Sequence, residues 1–201
     1  MSRLTEILQG CNLLVGATDS EGAKDLLNRV AWQLGVPAVY GAAYNLGFGG
    51  DVFVADPPAG PCYQCFRNAT GDMFQSEGEK PEVSYDKIVP QPALGMDVGM
   101  VGLITARVAL TVLLKADPSA RLGGFPTNWI LWGNQVWPGW IFDKPLQSEF
   151  FEIEPDPLCP VCHSEAYTQS QLGMSAAEAQ VKATVLINQL KASAANKPTE
   201  E

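Results

Sequence analysis

The sequence predicts an α/β fold with a mixed sheet, stapled by a metal site. Three observations carry that expectation. An apolar run, an amphipathic helical stretch and a second apolar run follow one another between Leu13 and Ala42. Glycines Gly47, Gly49 and Gly50 lead into an alternating Val52, Phe53, Val54 segment. Four cysteines arrive as two C-x-x-C pairs, Cys62/Cys65 and Cys159/Cys162.

Leu13, Leu14 and Val15 read as a short buried strand ending at Gly16, with Asp19 and Ser20 in position to start a helix. Ala23, Leu26, Leu27, Val30, Ala31 and Leu34 then recur at spacings of three and four, so one helix face is apolar. Gly35 and Pro37 close that helix. A second strand at Ala38 to Ala42 makes this a β-α-β unit, whose two strands run parallel. The next strand, around Val52 to Val54, is entered through a glycine bend. Because those glycines open a strand and not a helix, they are not a phosphate loop.

Each cysteine pair forms a knuckle that aims two sulfurs at one point, and four thiolates of this spacing are a tetrahedral zinc set with no open coordination position. A disulfide framework is disfavoured, since Met1 to Gly10 has no apolar signal-peptide core. A thioredoxin-like redox pair is the other reading. It needs a C-x-x-C that opens a helix, whereas Pro57, Pro58 and Pro61 before Cys62, and Pro157 before Cys159, point to loops. Cys11 opens an apolar run and reads as an inert buried thiol.

Asn68 to Glu82 is polar and glycine-containing and reads as loosely structured, as does the tail after Ala192. Asp97 to Leu114 reads as a long helix that is apolar nearly all round, and therefore central and buried. Its apolar stretch, Gly99 to Leu114, contains Arg107 and falls short of a membrane span. Trp129 to Trp132 and Trp140 to Phe142 read as two strands joined through Gly133 to Gly139. Phe150 to Ile153 is a further strand leading to the second knuckle, and Ser175 to Lys191 a final amphipathic helix. A chain of 201 residues with 46% hydrophobic and 17% charged content supports a sizeable core. Its net charge of -9, with no Lys/Arg cluster, argues against nucleic acid as a partner.

Taken in order, Leu13-Leu-Val-Gly-Ala-Thr-Asp19-Ser, a helix with Asn28, Tyr40-Gly-Ala, Gly47-Phe-Gly-Gly-Asp-Val, G-P-C-Y-Q-C, a long helix and D-P-L-C-P-V-C resemble the second half of the ThiF/MoeB/HesA family of E1-like activating enzymes. The resemblance covers about Leu4 to His163. It implies a partial Rossmann-like adenylation fold over residues 1–165, with residues 166–201 forming a C-terminal helix and tail. It also implies adenylation of the C-terminal Gly-Gly of a ubiquitin-like or sulfur-carrier protein with MgATP, beside a structural zinc held by Cys62, Cys65, Cys159 and Cys162. On spacing alone, Asp19 or Ser20 is a helix N-cap. The resemblance instead makes Asp19 the magnesium residue and places Lys24 and Asn28 at the nucleotide, in a cytoplasmic enzyme.

Departures from the family pattern shape the expectation. Lys24 stands where the family often has an arginine, so the two-pronged geometry toward phosphate is lost. No cysteine lies in Asn68 to Asp97, which speaks against thioester transfer. The glycine-rich G-x-G-x-x-G unit that family members carry first is absent, so an E1-like partner subunit or a homodimer is expected to complete the site. A non-catalytic, zinc-stabilised subunit, or a truncated product, is the alternative. His163, the only histidine, reads as a loop residue after the second knuckle.

Overall fold

A computed structural model describes residues 3–71, 92–136 and 138–195. The chain divides into two compact units, Met1–Pro155 and Asp156–Glu201.

In the first unit, a short helix α1 (Arg3–Leu8) precedes strand β1 (Leu14–Gly16), helix α2 (Glu21–Leu34) and strand β2 (Ala38–Ala43). β1 and β2 pair in parallel, with Leu14 opposite Ala38 and Gly16 opposite Tyr40, so the β-α-β expectation holds. The caps explain the limits of α2. The Ser20 hydroxyl accepts the Ala23 N–H at 3.3 Å at its start, and Gly35 takes a left-handed conformation (φ 65°) at its end.

Strands β3 (Gly49–Ala55), β4 (Trp129–Gly133) and β5 (Gln147–Phe151) follow, each antiparallel to its predecessor. The result is a mixed five-stranded sheet in the order β1-β2-β3-β4-β5. β3 is central and buried along its whole length. Glycine opens it because its neighbours leave no room: a Cβ on Gly50 would sit 2.7 Å from the Ala42 carbonyl oxygen and 2.8 Å from the Trp132 ring.

The two-residue period of the strands sorts the core into two layers. Tyr40, Phe53, Trp129 and Leu131 face Ala31 of α2 and Tyr63 and Phe66 of helix α3 (Tyr63–Thr70). Val39, Val52, Val54, Ile130 and Trp132 face helix α4 (Gly95–Leu113), which presents Val101, Val108, Ala109 and Val112. Ring stacking tightens the first layer, with centroids 4.4 Å apart for Tyr40 and Tyr63 and 4.7 Å for Phe53 and Phe66. In the second unit, helices α5 (Ser164–Leu172) and α6 (Ala176–Ala195) pack on each other.

Several expectations are corrected. The first cysteine pair is not in a loop: Cys62 is the extended N-cap residue of α3 and Cys65 lies in its first turn. The prolines that suggested a loop sit ahead of the helix, where they interrupt no helical hydrogen bond. Asn68 to Thr70 are the last residues of α3, which ends only where the Gly71 N–H donates to the Arg67 carbonyl, and Asp72 to Glu82 lie outside the described residues. Cys11 is exposed, not buried. Trp140 to Phe142 form no strand; the chain turns there, Gly139 taking φ 79°, and the partner of β4 is the later Gln147–Phe151 segment.

α4 is buried on one face alone. Leu103 (73% exposed), Met96, Leu110 and Leu113 lie on the other, because a helix lying on one face of a sheet covers a single stripe. At 19 residues it is also longer than expected, long and apolar enough by length and composition to cross a membrane. Its inner stripe is nonetheless built into the core against β2 and β3.

Candidate functional site

The four paired cysteines converge: the Sγ atoms of Cys62, Cys65, Cys159 and Cys162 all lie within 4.8 Å of one another. α3 sets the first pair, because a C-x-x-C that begins at an N-cap brings residues i and i+3 to the same side of the first turn. Their sulfurs are 3.8 Å apart. A tetrahedral zinc site with bonds of about 2.3 Å has sulfur–sulfur edges of about 3.8 Å, so the pair already has the right span. In the second pair, the Val161 N–H points to the Cys159 sulfur at 3.4 Å, and His163 Nδ1 lies 3.2 Å from the Cys162 sulfur. Cys62, Cys65 and Cys159 are buried and Cys162 is partly so.

The electrostatics fit a cation. The hydrogen bond with Cys65 and burial push the Cys62 thiol well above its usual range, while Asn28 pulls the other way. Crowded thiols of that kind stay protonated alone, and a divalent ion at their centre reverses the balance. The residues therefore suit a closed, four-sulfur structural site.

The turn after β1 supplies the second cluster. Thr18 Oγ1 accepts the Ser20 N–H at 3.1 Å, and Ser20 caps α2, so the exposed Asp19 is not the capping residue. Lys24 and Asn28 lie four residues apart on one face of α2 and are both buried. Lys24 pairs with Glu21 at 2.8 Å and stands 5.8 Å from the centre of the Tyr63 ring. Asn28 accepts the Tyr63 backbone N–H at 2.9 Å. The structure thus gathers Lys24 and Asn28 against the first residue of α3, while Asp19 occupies the carboxyl end of β1, the position where open α/β sheets bind ligands.

Sequence reasoning missed the polar seam that joins these helices. The Tyr63 hydroxyl donates to Glu21 at 3.0 Å, and Arg67 pairs with Asp25 at 2.9 Å. These partners are 42 residues apart, and no local periodicity signals such a pairing.

A parallel β-α-β unit continues into an antiparallel sheet, with a four-cysteine cluster at the start of a following helix, and that combination has relatives among known proteins. The sequence matches the ThiF family over residues 2–135. It is 30% identical over 165 residues to the SAMP-activating enzyme E1 of Haloferax volcanii, covering 80% of this chain and 50% of that protein. It is 31% identical over 174 residues to the sulfur carrier protein adenylyltransferase of Thermus thermophilus, covering 83% and 54%. E. coli MccB shares the fold with a TM-score of 0.51 at 11% identity, over 81% of this chain and 44% of that one. The chain belongs to the ThiF family. It spans about half the length of the curated relatives it matches.

Proposed function

We propose that this chain is the magnesium- and zinc-bearing half of an adenylyltransferase that activates the C-terminal Gly-Gly of a ubiquitin-like or sulfur-carrier protein. The observation that carries the reading is the turn after β1. Because Ser20 takes the capping role, the Asp19 carboxylate is left at the carboxyl edge of the sheet, where it can hold magnesium beside the phosphates. Lys24 places a positive charge one turn further on, at the end of α2 that already favours anions. MgATP supplies the electrophile: the carrier's carboxylate oxygen bonds to the α-phosphorus and the bond to pyrophosphate breaks. Positioning and charge compensation are what the protein contributes.

The four cysteines hold a structural zinc in this reading, in a chain working in the reducing cytoplasm. The 201 residues hold no G-x-G-x-x-G that opens a helix, so in this reading that part of the ATP site comes from outside them. The names of the Haloferax and Thermus relatives support the substrate class.

The test is ATP–pyrophosphate exchange with a Gly-Gly-ended carrier protein, with and without a chain carrying the glycine-rich unit. Exchange that needs both chains and is lost in Asp19→Ala supports the reading. Absence of exchange under every combination sinks it and leaves a binding subunit.

A further inference from the structure

We infer that Asn28 is a positioning residue of the zinc centre, holding the Cys62 knuckle to α2, and is not a nucleotide contact. The inference rests on the zinc reading above. Asn28 is 1% exposed, and a side-chain amide so deeply buried has to spend its hydrogen bonds on protein groups. Its carbonyl accepts the Tyr63 N–H at 2.9 Å. That N–H is the first of α3 and has no acceptor within its own helix. Cys62, the N-cap residue, makes no side-chain cap hydrogen bond, so Asn28 does from another helix what a Ser or Asp at the cap does locally.

The other half of the amide serves the metal ligand. Asn28 also hydrogen-bonds the Cys62 side chain, and since its carbonyl oxygen is taken by the Tyr63 N–H, the amide N–H is the group that donates to sulfur. One side chain thereby fixes both the first sulfur of the knuckle, on Cys62, and the backbone that follows it at Tyr63. Groups that orient a metal ligand in this way typically change metal affinity about 10- to 100-fold when removed.

Asn28→Asp separates the two tasks, since a carboxylate still accepts the Tyr63 N–H but cannot donate to Cys62. Zinc affinity is measured by competition with a chromophoric chelator on the reduced full-length chain, and cobalt substitution gives the sulfur-to-metal absorption bands. Wild type should bind about one zinc per chain. The expected result for Asn28→Asp is an affinity about tenfold or more lower, with displaced cobalt bands and a folded circular dichroism spectrum. Asn28→Ala should be weaker still. Affinity within twofold of wild type and superimposable cobalt bands in Asn28→Asp would overturn the inference. A wild-type chain that takes up no zinc overturns the zinc reading itself, and is recognised before any variant is compared.

Discussion

The Trp129 indole N–H on β4 donates to the Asp51 carboxylate on β3 at 3.2 Å, inside the sheet, where Asp51 is 5% exposed. Burial pushes the Asp51 carboxyl up to about 7, even though the hydrogen bonds from Tyr44 and Trp129 act to lower it. An unfolded chain titrates this group near 3.9, so the folded state binds its proton more tightly. Stability from Asp51 is therefore fully present below about pH 4 and is lost as pH rises towards about 7, at up to about 1.4 kcal/mol per unit. Urea midpoints across that range should fall for wild type and show a shallower slope for Asp51→Asn. Identical slopes would refute the assignment.

Metal removal should destabilise the whole chain. A ligand held at about a thousandfold above its Kd stabilises the native state by about 4 kcal/mol. At about 2–4 °C per kcal/mol for a chain of this size, stripping zinc lowers Tm by about 8–16 °C. Cys62→Ser should show that loss with no added chelator, and Cys11→Ser, at an exposed cysteine outside the cluster, should not.

The two faces of α4 should respond very differently to truncation. Val108, 4% exposed against the sheet, loses two buried methyl groups on change to alanine and should cost about 1–3 kcal/mol. Leu103, 73% exposed, should stay within about 0.5 kcal/mol on the same change. Equal costs would mean the outer face is covered in solution.

Phe53 stacks on Phe66 and is fully buried at the centre of the sheet. Phe53→Ala should cost about 3–5 kcal/mol by chemical denaturation. Gly50→Ala should also destabilise, although it adds only a methyl, because the Ala42 carbonyl it meets belongs to a paired strand that cannot retreat. A neutral Gly50→Ala would show that the strands can part there.

The sequence made α2 legible because its signals are local: Ser20 and Gly35 mark the ends and the apolar spacing marks the face. The paired cysteines were legible because C-x-x-C is a local spacing that can be read without the fold. α3 was hidden by the prolines ahead of it. The exposed side of α4 was hidden because composition reports how apolar a helix is and not how many neighbours it finds. Asn28 shows the limit most plainly. Its partner lies 35 residues away, and only the fold brings the two together.

The strands lie side by side in the order the chain makes them, so no strand has to be inserted between two others already paired. The β2–β3 pairing needs only a short connection, from Ala43 to Gly49. The β3–β4 pairing must close the span from Ala55 to Trp129, which carries both α3 and α4. Chain-closure entropy is thus concentrated at one junction, and the order of assembly follows: the β2–β3 hairpin is the natural nucleus and β4 docks late. Folding rates should accordingly be sensitive to truncating Val52, while truncating Ile130 should act mainly on unfolding rates.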